Sequence, residues 1–377
     1  MNSAVSLVIF EGGASTSELE KMMVHVRKGI VIDLLHKAQA AGFTRIILVT
    51  NYRDLAEMAS GFAVEIEYQS RVTEEFHFGT ELLKLIKHKD VTKVLYMGGA
   101  AAPLISVQEL SYLRSLLESH ENAVIANNYY SADIVGFTPA SALEKIVLPP
   151  IDNTLPQLLV QQSGLKYIPT QRTLGLQFDL DTPADLMILA NHPSIGTYTK
   201  QAIADTKIDI VRCLQIKEVM QTPHADLVVY GRVNAAMFKL LDELTKCRIR
   251  LYSEERGLKA LGRDTNGQAR SLIGEIIALS GYDRFFQFLA SICQGAVLDT
   301  RVLFSHFRWE LSQSDRFYSD LGMADQIIHP QLREFTRAAN RAAIPVLLGG
   351  HSLVTGGLWA LLDAAYWDLS MSVDRKG

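Results

Sequence analysis

Short hydrophobic runs rich in β-branched residues alternate with helical patterns through the first half of the chain. The runs are VSLVIF, RIILVT, VEIEYQ, KVLYMG and AVIANN, and the first of the intervening helices extends to about Ala41. This alternation predicts a mostly parallel sheet covered by helices on both faces. Because crossovers in such a sheet are right-handed, the loops that follow the strands gather at one edge, where ligands bind.

The alternation becomes irregular after Asn128. The segment DIVGFTPASALEKI predicts a short helix, and GLQFDLD predicts a strand. Thr182-Pro183 is typical of a helix start, with a threonine cap and proline at the first helical position. The sequence NHPSIG then interrupts the pattern, so we expect two domains, at residues 1–193 and 194–377.

The second half repeats the alternation with DLVVYGRV, CRIRLYSEERG, AVLDTRVLFSH and IPVLLGGHS, each followed by a helical pattern. No fixed-period repeat is visible, which argues against a solenoid. We therefore predict an α/β fold throughout: a first domain with a mostly parallel sheet between helices, and a second, helix-rich α/β domain.

Composition and charge restrict the class of ligand. The 377 residues are 48% hydrophobic and 21% charged, as in globular proteins, and the net charge of −4 gives no basic footprint for a nucleic acid. Fifteen arginines follow residue 193 and six precede it. Arginine binds carboxylate and phosphate groups through paired hydrogen bonds, which favours a small anionic ligand in the second half. Solvated helix faces would explain many of these arginines equally well.

Three cysteines, Cys213, Cys247 and Cys293, are widely spaced and odd in number. This pattern argues against a disulfide framework, a zinc knuckle or a redox pair, and it favours a reducing, cytoplasmic location. No apolar run reaches the roughly 18 residues that a membrane helix requires, so we expect no membrane partner. Assembly into a homo-oligomer stays open.

Four segments, in order, are IFEGGASTSELEK, RIILVTNY, VLYMGGAAAPLISVQEL and GLQFDLDTPADL. Together they resemble the nucleotidyltransferase domain of the molybdenum-cofactor guanylyltransferases and the phospholactate guanylyltransferases, within the wider group that has a glycosyltransferase-A-like, Rossmann-like sheet. The last segment is the most specific of the four. The resemblance covers the first 190 residues.

In such enzymes the glycine-rich loop wraps a nucleoside triphosphate, a basic side chain stabilises the leaving pyrophosphate, and acidic residues hold Mg²⁺. The transfer depends on positioning and charge neutralisation more than on covalent chemistry. The resemblance therefore implies GTP as the nucleotide, magnesium as the cofactor and a place in cofactor biosynthesis. It implies nucleotide binding by Gly12, Gly13, Ser15 and Asn51, catalytic roles for Lys21 and Asp179, and metal binding by Asp179 and Asp181.

Two departures from the family pattern concern the catalytic groups. The loop lacks the usual arginine and carries acidic residues before Lys21, and MGGAAAPL has no aspartate ahead of Pro103. Glycine and alanine cannot replace a hard oxygen ligand of Mg²⁺, so Glu11 or Glu18 would have to supply it. A purely structural alternative is that Gly12 and Gly13 only form a tight turn.

A second candidate site follows from the strand endings of the second half. If these strands are parallel and adjacent, their polar endings converge on one crevice. The arginines would bind a small phosphorylated or carboxylated metabolite, the histidine would act as acid or base, and the carboxylates would bind a metal or a hydroxyl group. The candidate residues are Arg232, Glu254, Glu255, Arg256, Asp299, Arg301, His351 and Ser352.

Structural roles would explain the same residues. Arg256 and Arg301 would then pair with Glu254 and Asp299, and GGHSLVTGG would be a turn and a helix start. Asp315, Arg316 and Asp320, in SDRFYSDLG, fit either a contribution to the site or an exposed helical i,i+4 pattern.

Three functions are compatible with these patterns. In the first, the first domain transfers a nucleoside monophosphate from a triphosphate to a phosphorylated small molecule, which the second domain binds or modifies. In the second, the first domain binds a nucleotide or serves as a scaffold, and the chemistry belongs to the second domain. In the third, the chain is a glycosyltransferase that uses a nucleotide sugar, because the same sheet serves both reactions.

Overall fold

The computed structural model describes residues 4–69, 76–259 and 261–365, which divide into two units. Of these residues, the first unit takes those up to Ser15, those from Val24 to Gln177 and those from Gly196 to Ala202. The second unit takes Thr16–Met23, Phe178–Ile195 and the residues from Ile203 onward. The units interleave along the chain, and the single boundary at residue 193 stays a prediction.

The first unit contains a seven-stranded sheet. Its strands are β1 (Val5–Glu11), β2 (Arg45–Thr50), β3 (Glu65–Tyr68), β4 (Lys93–Gly98), β5 (Ala123–Ala126), β6 (Ile134–Thr138) and β7 (Lys166–Pro169). Their order is β3-β2-β1-β4-β6-β5-β7, and every neighbouring pair is parallel except the two that involve β6. The prediction of a mostly parallel sheet is confirmed.

The second unit contains a four-stranded sheet. Its strands are β8 (Asp226–Gly231), β9 (Arg248–Ser253), β10 (Gly295–Asp299) and β11 (Val346–Gly349). The order is β11-β10-β8-β9 and all three pairs are parallel. The four strand endings therefore lie at the same edge, which is the condition that the second candidate site requires.

Within the described residues, helices outnumber strands in the second unit and are about as numerous as strands in the first. They are α1 (Glu18–Ala40), α2 (Arg53–Ala59), α3 (Phe78–His88), α4 (Val107–Ser119), α5 (Leu155–Ser163), α6 (Leu174–Gln177), α7 (Pro183–Ala190), α8 (Thr197–Thr206), α9 (Val211–Gln221), α10 (Ala235–Leu244), α11 (Leu272–Ser280), α12 (Tyr282–Ile292), α13 (Thr300–His306), α14 (Gln313–Asp320) and α15 (Pro330–Arg341). Short 3₁₀ segments cover Ala140–Lys145, Asp152–Thr154 and Ala324–Gln326, and a π-turn at Leu353–Gly357 continues as α-helix over 358–365. Within the described ranges, no helix is both long enough and apolar enough to cross a membrane.

Helices cover both faces of the first sheet, as the hydrophobic pattern predicts. Successive residues of a strand point to opposite faces, so Leu7 packs in one core with Leu35 of α1, and Val8 packs in the other with Leu82 of α3. Each such fully buried side chain stabilises the fold by about 1.5–3 kcal/mol. The strands of this sheet are hydrophobic runs because both of their faces are buried.

Two strands after β4, namely β6 and β7, were not predicted from the hydrophobic pattern. β6 pairs antiparallel with both β4 and β5, so it does not show the strand-helix rhythm by which the other strands are recognised. β7 pairs with β5 at the margin of the sheet and is half exposed. The short helix predicted after Pro139 is present as the 3₁₀ segment.

The strand predicted for GLQFDLD is wrong. Leu174–Gln177 form one helical turn, and an irregular stretch then leads to the helix that begins at Pro183. A Cβ atom at Gly175 would lie 2.5 Å from a carboxylate oxygen of Glu109, so this turn packs tightly against α4. The threonine cap at Thr182 is confirmed, with a reciprocal capping box to Asp185. The helix start predicted at Glu74 lies outside the described residues.

The three cysteines carry free thiols. Cys213 and Cys293 are buried, and burial raises the pKa of Cys213 to about 12. A buried thiol of this kind is unreactive and contributes to packing.

Asp33 of α1 fastens residues 196–202 to the rest of the first unit, and this contact gives a stability prediction. One carboxylate oxygen accepts from Tyr198 N at 3.2 Å, and the other from Thr199 N and Oγ1 at 2.8 and 2.6 Å. Asp33→Ala leaves these donors without an acceptor, so we expect a loss of about 2–3 kcal/mol in the free energy of unfolding, measured by urea denaturation. Asp33→Asn keeps an acceptor oxygen and should lose about half as much. Equal losses in the two variants would contradict the role of these hydrogen bonds.

Candidate functional site

The order of the first sheet reverses between β1 and β4, because β2 and β3 extend to one side of β1 while the chain continues from β4 on the other. Ligands of open α/β sheets bind at the carboxyl ends of the strands at such a reversal. The Gly12-Gly13 loop follows β1 directly, so it lies at this edge.

Asn51, at the end of β2, holds the glycine loop by two hydrogen bonds. Its Oδ1 accepts from Gly13 N and its Nδ2 donates to Gly13 O, both at 3.0 Å. A Cβ atom at Gly12 would lie 2.7 Å from Asn51 Oδ1, and Gly13 has φ near 139°, so both positions require glycine. The structure thus brings Asn51 and the loop together, but the Gly13 N–H is already used within the protein.

Glu20, in the first turn of α1, accepts hydrogen bonds from residues at the start of the same helix. Glu20 Oε2 accepts from Thr16 N at 2.6 Å, from Thr16 Oγ1 at 2.9 Å and from Ser17 N at 3.3 Å, and Ser17 Oγ accepts from Glu20 N. This is a capping box with one additional donor. Hydrogen bonds from Thr16 lower the pKa of Glu20, so the carboxylate is ionised at neutral pH.

The remaining loop residues lie at the surface. Lys21 pairs with Glu18 at 2.7 Å, and both side chains are mostly exposed, an arrangement that contributes little to stability. Ser15 is half-buried.

A buried carboxylate occupies the space beside the glycines that follow β4. A Cβ atom at Gly99 would overlap the carboxylate of Glu11, which is buried and accepts a hydrogen bond from Arg27 Nε at 3.0 Å. Burial raises the pKa of Glu11, and the charge of Arg27 opposes the rise. Glu11 thus places an acid beside the segment MGGAAAPL, which has no acid of its own, but this acid is paired with Arg27.

The predicted magnesium ligands, Asp179 and Asp181, do not belong to a larger group of metal-binding side chains in the described residues. These residues contain no group of three or more His, Cys, Asp or Glu side chains that could hold a metal ion. Of the predicted ligands, Asp179 is half-buried and Asp181 is exposed, and both belong to the second unit. The Mg²⁺ site therefore stays a prediction.

The order of the second sheet reverses between β8 and β10, and a buried ion pair lies at this reversal. Arg232 Nε and Nη2 donate to the two oxygens of Asp299 at 2.6 and 3.0 Å, and both side chains are almost fully buried. A Cβ atom at Gly231 would overlap Asp299, so the close approach of β8 depends on glycine. Burial alone would raise the pKa of Asp299, but Arg232 lowers it below its ordinary value.

A second ion pair extends this group. Arg301 donates to both oxygens of Asp320 at 2.6 Å, and a further N–H contacts Thr300 Oγ1 at 3.0 Å. Burial raises the pKa of Asp320 and Arg301 opposes the rise, and this two-bond geometry keeps the pair ionised at neutral pH. The pairing of Arg301 with Asp299 considered from the sequence is wrong, and so is the exposed position considered for Asp320.

His351 follows β11 and lies beside the Arg232–Asp299 pair. The surrounding protein lowers the pKa of His351 to about 4, first by desolvation and then by the positive charge of Arg232. The residue keeps one exposed side, and its imidazole is neutral at pH 7. A neutral, accessible imidazole beside a buried ion pair can accept a proton from a bound ligand.

Asp185, which the sequence interpretation did not select, connects the helix α7 to the turn after β11. Its Oδ2 accepts from Thr182 N and Oγ1 at 2.8 and 2.9 Å and from Ser352 Oγ at 2.7 Å. Its Oδ1 is buried with no hydrogen-bond partner. Desolvation, and then the nearby charge of Asp181, raise the pKa of Asp185 to about 7. Asp185 is the third acidic residue of FDLDTPADL, and this accumulation of acids was the signal in the sequence that could have identified it.

The ending of β9 has structural roles. Glu254 accepts from Ser271 Oγ and from Leu272 N, at the start of α11. Glu255 pairs with Arg263 through two hydrogen bonds of 2.8 Å, and Arg256 is exposed. The pairing of Arg256 with Glu254 is therefore not found. Three of the four strand endings supply Arg232, Asp299, Arg301, His351 and Ser352, and the helices α7 and α14 add Asp185 and Asp320.

Known proteins resemble part of the chain in structure. A nucleotidyl transferase from Methanothermobacter shares 16% identity over 46% of this chain and 90% of its own, with a TM-score of 0.36. A cytidylyltransferase from Leptospira borgpetersenii shares 17% identity over 54% of this chain and 93% of its own, with a TM-score of 0.40. A CMP:2-keto-3-deoxy-manno-octonic acid synthetase in complex with CTP shares 14% identity over 50% of this chain and 97% of its own, with a TM-score of 0.34.

A scan against protein-family models gives no match, and a search of the curated proteins finds no significantly similar sequence. At these identities and TM-scores the structural neighbours carry no conclusion about activity. The function therefore has to be argued from the residues of the chain.

The raised pKa of Asp185 predicts a pH dependence of stability. The folded chain holds a proton on Asp185 that the unfolded chain releases above its ordinary pKa of 3.8, so this contribution is complete below pH 4 and is lost as the pH rises through about 7. Relative to Asp185→Asn, the wild type should lose at least about 1 kcal/mol between pH 5 and pH 8, measured by urea denaturation at each pH. A constant difference between the two proteins would contradict the shift.

Proposed function

We propose that the chain is an enzyme that acts on a small anionic metabolite at the carboxyl edge of the second sheet. In this proposal the first unit is a nucleotidyltransferase-like unit that binds a nucleotide without transferring it. The observation that carries the proposal is the neutral His351 beside the buried Arg232–Asp299 pair at the reversal of strand order.

The chemistry proposed for the second unit is general acid–base catalysis. His351 is neutral in the free protein because desolvation and Arg232 disfavour its charged form. A bound anion would offset the charge of Arg232 and raise the pKa of the imidazole, which makes His351 a stronger base in the complex than in the free protein. The Arg232–Asp299 pair would keep the imidazole in place, and its own charges are already matched.

The contacts of the loop between β1 and α1 support the absence of transfer. Gly13 N is bonded to Asn51, and Thr16 N and Ser17 N are bonded to Glu20. A triphosphate would have to displace these acceptors before it could use the same donors, and the carboxylate of Glu20 would repel it. The resemblance to guanylyltransferases and the position of the loop at a reversal of strand order support nucleotide binding.

A second candidate is transfer of a nucleoside monophosphate, from GTP by the resemblance, to a phosphorylated small molecule held by the second unit. The observation in its favour is that Asn51 shapes the Gly12-Gly13 loop at the edge where β1 ends. Lys21 would then stabilise the leaving pyrophosphate, and Asp179 and Asp181 would hold Mg²⁺.

Nucleotide binding and pyrophosphate release distinguish the two candidates. The full chain is titrated with GTP, CTP and ATP, with and without Mg²⁺, in a thermal-shift assay, and pyrophosphate is measured in the presence of candidate phosphorylated acceptors. We expect a triphosphate to raise the melting temperature without metal, and we expect no pyrophosphate. Metal-dependent release of pyrophosphate would reject the proposal and support transfer.

Lys21→Ala provides a control on the loop. Lys21 pairs with Glu18 at the surface, so under the proposal its removal should change nucleotide affinity by less than about twofold. Under the second candidate the variant should bind a triphosphate about tenfold more weakly, because a phosphate contact is lost.

Binding of small anions tests the second unit. The full chain is heated with orthophosphate, pyrophosphate or citrate at constant ionic strength, with sodium chloride as the reference salt. At least one of these anions should raise the melting temperature above that in the reference salt, because a ligand that binds only the folded state stabilises it. If none of them does so, the proposed anion site is rejected.

A further inference from the structure

We propose that Arg316, Arg301 and the turn Gly350–Ser352 form a subsite for a phosphate group of the metabolite bound by the second unit. This inference rests on the proposed function, and it specifies the chemical class of the ligand and a recognition residue that the strand-end pattern does not contain. Three features support the subsite: an arginine with an unmatched charge, a second arginine with an unused N–H group, and a space next to that group.

Arg316 has a charge without a matching partner. Its guanidinium is half-buried and makes no hydrogen bond or ion pair with the part of the chain that the structure describes. Arg316 lies one helical turn before Asp320 on α14, so both side chains are on the same face of the helix. Asp320, the acid on this face, already gives both of its oxygens to Arg301.

Arg301 adds a second donor. Its two terminal nitrogens are engaged by Asp320 and Thr300, and its Nε makes no hydrogen bond to any described residue. The charges of Arg301 and Arg316 are close enough that, after desolvation, Arg301 is the main influence that lowers the pKa of Arg316. The oxygens of Asp320 are already bonded to Arg301, so Asp320 cannot fully offset the charge of Arg316 as well. An additional anion would reduce the repulsion between the two arginines.

Gly350 leaves room beside this donor. A Cβ atom at Gly350 would lie 3.4 Å from Thr182 Cγ2, 3.8 Å from Arg301 Nε and 3.9 Å from Ser352 Oγ. These are ordinary contact distances, and the backbone of Gly350 is not in the left-handed region, so packing does not demand glycine here. The missing side chain instead leaves a small space next to the unused N–H group of Arg301.

The charges of the site favour a phosphate group. Arg232 and Arg301 are matched by Asp299 and Asp320, His351 is neutral, and Asp185, with a pKa of about 7, is only partly ionised at neutral pH. The charge of Arg316 remains without an ion-pair partner among the described residues, which favours binding of an anion. Arg301 and Arg316 come from two helices, α13 and α14, and the several oxygens of a phosphate group can accept from donors on both.

Binding of inorganic phosphate to the full chain tests this subsite. Isothermal titration is carried out on the wild type, Arg316→Gln, Gly350→Ala and the control Arg284→Gln, which changes an exposed arginine of α12. We expect phosphate to bind at least about tenfold more weakly to Arg316→Gln and Gly350→Ala, and within about twofold of the wild type to Arg284→Gln. Gly350→Ala should keep a melting temperature within about 2 °C of the wild type, because its methyl group meets no clash.

Citrate separates failure of the subsite from failure of the proposed function. If citrate stabilises the wild type but phosphate does not bind, or if phosphate binds equally well to Arg316→Gln and the wild type, the phosphate subsite is rejected and the anion site stands. If no small anion binds the wild type, both are rejected. If Arg284→Gln weakens binding as much as Arg316→Gln, the attraction comes from overall charge and the subsite is rejected.

Discussion

The ion pair between Arg232 and Asp299 is the contact on which the edge of the second sheet depends. Removing two charges from water costs several kcal/mol for each ion, and good geometry with further hydrogen bonds is needed to offset this cost. Asp299 meets this condition because its oxygens accept from Arg232 Nε, Nη2 and N and from Arg301 N. The absent side chain of Gly231 allows the approach. The same pair contributes to the environment of His351, whose pKa is lowered first by desolvation and then by the charge of Arg232.

The two sheet edges differ in how completely their charges are matched. At the end of β1, the charges of Glu11 and Arg27 are paired and Gly13 is held by Asn51, and, among the described residues, the polar atom left without a hydrogen bond near Gly13 is the uncharged hydroxyl of Tyr52. At the ends of β10 and β11, the pairs of Arg232 and Arg301 are complete, but Arg316 is unmatched and Asp185 keeps a buried oxygen without a donor. Polar groups without partners inside a protein are costly, and in folded proteins they concentrate at functional sites. The unmatched charge of Arg316 supports the proposal that the chemistry belongs to the second unit.

The sequence predicted the fold better than it predicted the partners of its charged residues. The hydrophobic runs of the parallel strands are recognisable because both faces are buried, whereas β6 has no preceding helix and GLQFDLD imitates a strand by alternating apolar and acidic residues. The convergence of the strand endings at one edge could be predicted, because parallel strands end at the same edge of a sheet. The partners of Arg301 and Glu254 could not be predicted in this way. Arg301 pairs with Asp320 of α14 and Glu254 accepts from Leu272 N of α11, and the strand pattern does not specify how these helices are rotated. Asp185 was overlooked because a residue that only caps a helix and a residue that also bonds a distant turn have the same local sequence.

At the start of α1, the carboxylate of Glu20 occupies donors that a phosphate oxygen would otherwise use. Glu20 satisfies Thr16 N, Thr16 Oγ1 and Ser17 N, which are donors of the kind that a phosphate oxygen would use. Hydrogen bonds to a charged group contribute about 1.5–3 kcal/mol each, so a triphosphate gains from these donors only the difference between its own bonds and those of Glu20. It also approaches a carboxylate whose pKa is already lowered, so Glu20 stays charged and repels it. A loop with this internal anion is therefore better suited to structural support or weak binding than to the tight charge neutralisation that transfer requires.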